Sequence, residues 1–103
     1  MMSSDRRLQL HDELLKIVKN CYFQPPESVK LHYPCIIYEL DDIDVDYAND
    51  IKYLKNKRYT LTLIGKDPDT DIIDNILNSF NYCRFDREYI VDGLIHDTFD
   101  LYY

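Results

Sequence analysis

The residues of this chain whose types could do chemistry stand at spacings that do not suit it. Asp42, Asp44 and Asp46 alternate with Ile43 and Val45 like the opening ligands of a calcium loop, where oxygens at every second position converge on one ion. The match then fails, because Tyr47 stands where that loop needs glycine and Tyr53 where it needs a bidentate glutamate. A solvated acidic loop or an exposed β-ribbon suits the same alternation better. His11, His32 and His96 have no Cys, His or acidic partner at a recognised ligand spacing, and His96 and Asp97, as neighbours in an extended segment, point to opposite faces. Cys21, Cys35 and Cys83 are an odd set with no C-x-x-C pair, and no glycine-rich loop or oxyanion motif accompanies any of them. The expectation is no enzyme, no metal and no cofactor, with the cysteines as buried thiols in a reducing compartment.

Arg84 and Arg87, flanking Phe85 and Asp86, are the remaining candidates. They can pair across strands with Asp97 or Asp100, or they can serve a subunit contact, where arginine and tyrosine are enriched.

Composition narrows the partners. The chain has 103 residues, enough for one domain, and its 46% hydrophobic and 30% charged residues are globular proportions. Twelve basic residues against nineteen acidic ones, fifteen of them Asp, give a formal charge of -7. That balance opposes gripping a phosphate backbone, which draws on clustered Lys and Arg, yet it suits a wall along which a polyanion slides. It equally serves plain solubility. Ten Tyr with no Trp place some aromatic side chains at a sheet face or a subunit contact. No run of eighteen apolar residues occurs and Met1 to Asn20 is charged throughout, so a soluble protein made inside a cell, with no membrane partner, is expected.

The elements that would position these residues follow from periodicity. A first helix is expected over residues 4–19, capped by Ser3 or Ser4, with Leu8, Leu14, Leu15, Ile17 and Val18 as its apolar stripe. Cys21 to Gln24 reads as a short strand stopped by Pro25-Pro26. His32 to Leu40 reads as a strand with Pro34 implying an edge position or an entry bend, and both of its faces are largely apolar, which makes a neighbouring subunit a candidate cover. Residues 41–57 form a long loop or ribbon, and Arg58 to Ile64 alternates as a strand. Asp67-Pro68 is expected to open a second helix carrying Ile72, Ile73, Ile76, Leu77 and Phe80 on one face. Two strands, 83–91 and 94–102, close a hairpin through Asp92-Gly93, with Ile95, Phe99 and Leu101 on one side and Asp97 falling among them. The fold class that follows is α+β, an antiparallel sheet of about four strands with two helices on one face.

Several phrases, in order, resemble the tail terminator or tail-completion proteins of long-tailed, siphovirus-like bacteriophages: Tyr22-Phe23-Gln24-Pro25-Pro26, Tyr33-Pro34-Cys35-Ile36-Ile37-Tyr38, Arg58-Tyr59-Thr60-Leu61-Thr62, Asp67-Pro68-Asp69, and Phe85-Asp86-Arg87 with Asp92-Gly93-Leu94-Ile95-His96. The likeness covers about residues 8–103. The family reads Ala-Asp-Asn and Asp-Asn-Leu-Asn-His where this chain has Ala48-Asn49-Asp50 and Asp92-Gly93-Leu94-Ile95-His96. The resemblance implies a virion protein assembled in the host cytoplasm. It would form a homo-hexameric ring on the head-proximal end of the tail tube, halt tube growth, and meet the tube protein below and the head-tail connector above, with DNA only passing through the lumen. Such a ring needs heterologous interfaces, for which Tyr38, Tyr47, Tyr53, Arg84 and Arg87 are the expected contacts. A head-completion protein of the neck and an acidic DNA mimic that blocks a host protein are the rival expectations.

Overall fold

The computed structural model describes residues 3–48 and 51–103, with side chains for residues 6–43 and 57–103. In chain order the elements are α1 (Ser3–Leu15), β1 (Cys21–Phe23), β2 (Cys35–Ala48), β3 (Ile51–Gly65), α2 (Ile72–Ser79), β4 (Cys83–Val91) and β5 (Leu94–Tyr102). All strands join one sheet in the order β1-β2-β3-β5-β4. The α+β class is as expected, but the sheet has five strands and is mixed, because β1 runs parallel to β2. The connection from Gln24 to Pro34 is long enough to return the chain to the same end. Gln24 then extends the short ladder of β1: its N–H donates to the Tyr38 carbonyl and its Oε1 accepts from Leu40 N–H. Pro34 lies just before β2, an inner strand, so it marks the entry bend rather than an edge.

The helices cover one face. Leu10 and Leu14 of α1, Val18 beyond it and Ile76 of α2 pack on Ile36 and Tyr38 of β2, Tyr59, Leu61 and Leu63 of β3, and Phe99 and Leu101 of β5. The apolar stripe of α1 differs from the expected one. Residues 10, 14 and 18 recur every fourth position and so share one face, while Leu8 and Leu15 are exposed. The stripe of α2 is as expected: Ile72, Ile73, Leu77 and Phe80 surround buried Ile76.

The helix itself begins four residues later than Asp67-Pro68 suggests, with Asp71 at the cap position instead of Asp67. Asp67 Oδ1 accepts from the Asp69 N–H at 2.9 Å, closing a local turn, and Thr70 Oγ1 accepts from Ile72 N–H at 3.2 Å. That turn does not run on into the helix, whose first backbone bond is from Asn75 N–H to the Asp71 carbonyl at 3.1 Å.

Of the two forms expected for 41–57, loop or ribbon, the structure has the ribbon. β2 and β3 stay paired out to Ala48 and Ile51, whereas β5 accompanies β3 only from Arg58 to Gly65, so the outer part of the hairpin projects as two strands. The longest dimension of the molecule, 51 Å against 28 and 24 Å, agrees with that projection. Among the described residues no helix is long and apolar enough to cross a membrane.

Candidate functional site

β5 divides the chemistry between two faces. Its alternation sends Ile95, Asp97, Phe99 and Leu101 toward the helices and His96, Thr98, Asp100 and Tyr102 to the opposite face. Asp97 is therefore a carboxyl group inside an apolar layer, only 3% exposed. Across β4 its partner is decided by a bulge. Phe85 opposes Phe99, but between Phe85 and Arg87 the register shifts by one, so Arg87 opposes Thr98 and Glu88 opposes Asp97. Had the ladder continued without the extra residue, Arg87 would have faced Asp97 as an ion pair. The bulge replaces the guanidinium with a second carboxyl and sends Arg87 to the other face.

The consequence is electrostatic. Burial first, and the Glu88 carboxyl beside it second, push Asp97 up to about 7. Among the described residues its Oδ1 has no hydrogen-bond partner, and a buried acceptor left unmade is costly. Asp97 also lines a cavity of about 460 Å³ at the end of the sheet, together with Tyr33, Pro34, Leu63, Thr70, Ile72 and Ile95. The Lys66-Asp67 segment forms its rim.

The opposite face carries no helix among the described residues, and toward β4 it is open. Arg84 donates through Nη2 to Asp100 Oδ2 at 2.8 Å, the cross-strand pair read from the sequence. Arg87 lies with its guanidinium carbon 5.2 Å from the centre of the Tyr89 ring, and Tyr89 stacks on His96 at 4.9 Å and 18°. His96 Nδ1 carries its proton toward the Leu94 carbonyl at 3.0 Å, since that oxygen can only accept. Thr98 Oγ1 donates toward the bulge, where Asp86 Oδ2 and the Arg87 carbonyl lie 3.3 and 3.2 Å away. Nearer the ribbon, Arg58 Nε donates to Asp41 Oδ2 at 2.9 Å. β4 is the sheet edge, and Tyr82, Tyr89, Ile90 and Val91 on or beside it are exposed.

The structure separates the expected contact residues. Arg84 and Arg87 share the open face, and Tyr89 and Tyr102, which the sequence reading did not single out, join them there with His96, which that reading weighed only as a ligand or catalyst. Tyr38 must be corrected: it points to the helices and is fully buried, so it cannot meet a neighbouring molecule. Its hydroxyl, kept protonated because burial raises it, shares a hydrogen bond with His11 Nδ1 at 2.6 Å. Alternation along β2 showed which residues share a face with Tyr38, but not which face the helices would take. Tyr47 and Tyr53 fall in the ribbon, near its tip, where Tyr47 opposes Lys52 and Tyr53 opposes Asp46; their side chains lie outside the described residues.

Of the calcium-like run, Asp42 Oδ1 accepts from its neighbour Ile43 N–H at 2.8 Å, and the side chains of Asp44 and Asp46 lie outside the described residues. The three thiols have no disulfide partner, and burial pushes Cys21, Cys35 and Cys83 each up to about 11, so they stay protonated near neutrality and make poor nucleophiles. No family model matches the chain, and neither a curated protein nor a solved structure matches it.

Proposed function

We propose that this chain is a structural subunit of a phage tail, forming a ring at the head-proximal end that stops tube growth and joins the tail to the head connector. The observation that carries the reading is the one-sided covering of the sheet. Helices bury one face, while the other presents Arg84, Arg87, Tyr89 and Tyr102 beside an edge strand with exposed apolar residues. Arginine and tyrosine on an open face suit a protein contact, and a long unpaired strand edge is a surface that proteins cover or pair. A ring needs one surface of each protomer to meet a different surface of the next. The open face and the projecting ribbon are two such different surfaces, and the ordered resemblance of the sequence supplies the phage context.

Charge agrees with DNA passing through rather than being held. A net charge of -7 repels a phosphate backbone. A head-completion protein of the neck would draw on the same surfaces, and binding to purified tube and connector proteins separates the two roles. The acidic-decoy reading asks for a regular stripe of carboxylates. Among the described residues, Asp41 and Asp100 are held by Arg58 and Arg84, Asp67 closes its own turn and Asp97 is buried, which removes support from it.

Light scattering and electron microscopy of the purified protein test the proposal. The expected species has about six times the 12.4 kDa monomer mass and appears as rings. A chain that stays monomeric at every concentration and ignores both tube and connector proteins would overturn it. Replacing Tyr47 and Tyr53 together by alanine should open the ring, and rings that survive the change would remove the ribbon from the interface.

A further inference from the structure

Two independent features meet at one end of the sheet, beneath the connection between β3 and α2. One is a cavity of about 460 Å³ with apolar walls, within the ~300–1,000 Å³ range of small-molecule sites. The other is the Asp97 carboxyl on its lining, 3% exposed, with an oxygen that no described group satisfies. The β4 bulge that sets Glu88 opposite Asp97 means that the protein's own backbone register denies this carboxyl a cationic neighbour. We propose that the cavity binds a small organic cation, an ammonium group on a short aliphatic stem, with the ammonium on Asp97 and the stem against Leu63, Ile72 and Ile95.

The chemistry selects this ligand over others. An anion would face the carboxyl groups of Asp97 and Asp67 in the lining. A purely apolar guest would fill the walls but leave the Asp97 oxygen unpaired. A bare metal ion needs several oxygen ligands in one sphere, and among the described residues no group of three or more His, Cys, Asp or Glu side chains could hold one. An alkylammonium answers both halves of the site, since its head donates to the carboxylate and its stem buries apolar surface. Lys66, the cation of the lining, is exposed, and among the described contacts it makes no ion pair with Asp97. Tyr33 and Thr70 also belong to the lining. The inference does not depend on the ring, because every residue in it belongs to one protomer.

The ligand chemistry has two sources, a free amine or the lysine side chain of another protein, and the test separates them. Isothermal titration of the full chain with n-butylammonium, with n-butanol as the neutral control and with Nα-acetyl-lysine amide as the side-chain mimic, should give saturable binding to the cations and none to the alcohol. Tighter binding of n-butylammonium assigns a free amine, and tighter binding of the lysine derivative assigns a protein side chain.

Asp97→Asn, which keeps shape and removes charge, should weaken the cation at least about tenfold. Protons compete with the cation for Asp97, whose pKa lies near 7. Affinity should therefore fall by about tenfold per pH unit below that value and level off above it. Lys66 and Asp67 line the same cavity and Glu88 neighbours Asp97 across β4, and none can substitute for Asp97 in that profile if Asp97→Asn flattens it. No binding of either cation, equal binding of butanol, or an unchanged affinity and pH profile in Asp97→Asn would each overturn the proposal.

Discussion

Asp97 and Asp100 lie three residues apart on β5 and meet opposite fates. Asp100 faces the open side, where Arg84 reaches it at 2.8 Å and water screens both. Asp97 faces the helices, where burial and Glu88 hold it protonated up to about 7. The same side chain on the same strand is a routine surface partner on one face and, on the other, a buried group with one oxygen left without a partner. The difference lies in the covering layer and in a one-residue bulge, not in local sequence. It teaches that the two faces of this sheet differ in kind: the helix face holds the core and one unsettled polar site, and the open face carries exposed aromatic and charged side chains.

The largest effect expected from breaking that contrast is on the covered side. Phe99 is fully buried and meets Phe85 edge-on, with ring centres 5.6 Å apart. Phe99→Ala should cost about 3–5 kcal/mol of unfolding free energy, since it removes the transfer energy of the ring and leaves a cavity. Thr62→Ala, on the opposite face of the adjacent strand, should stay within about 0.5 kcal/mol. Urea denaturation of both variants checks the pair, and equal losses would mean that the faces are not divided as described.

Next comes Asp97→Asn, which sharpens the contrast because it is expected to stabilise. The folded chain binds a proton at Asp97 between its ordinary value of 3.8 and about 7 that the unfolded chain does not. The cost of ionised Asp97 is thus fully present above pH 7 and relieved as pH falls toward 4. The neutral amide carries no such cost, so the variant should be more stable than the parent by about 1–3 kcal/mol at pH 8. That gain should shrink as the pH is lowered and the parent's Asp97 takes up its proton. Urea midpoints of both proteins at several pH values measure it; a gain that does not depend on pH would assign it to something other than the titration of Asp97.

Most of the covered side was legible in the sequence, and the physical reason is that it is periodic. Alternation gave Tyr59, Leu61 and Leu63 one face of β3 and Phe99 and Leu101 one face of β5, and the three-and-four spacing gave the stripe of α2. Asp92-Gly93 announced its hairpin because both positions need positive φ, and they have it, at 53° and 76°. Even Asp97 announced itself as the one polar residue breaking the apolar set. What could not be read was whatever depends on a partner. The bulge between Phe85 and Arg87 leaves no local mark, because an extra residue is extra only relative to the opposite strand. The parallel pairing of β1 depends on where the 24–34 connection returns, and the late start of α2 on a turn at 67–69 that does not run on into the helix. Tyr38 was misplaced for a related reason: a strand with two apolar faces does not say which one the helices will choose.

The smallest expected effect is the most useful for function. Arg84 and Asp100 form a near-surface ion pair whose arginine side chain is 73% exposed. Such pairs are screened and hold two long side chains in one geometry at an entropic cost, so they contribute about 0–1 kcal/mol. In the isolated protomer Arg84→Ala should therefore shift the urea midpoint barely, and less still in high salt. If the open face is a subunit contact, the same change has a second consequence, since it removes an interface arginine and leaves Asp100 uncompensated as that surface is desolvated. The expected pattern is a protomer of nearly parental stability that assembles poorly, measured as denaturation at low protein concentration beside light scattering at high concentration. A variant that loses stability but still forms rings would reverse the assignment, placing Arg84 in the fold's own support and moving the contact to another part of the surface.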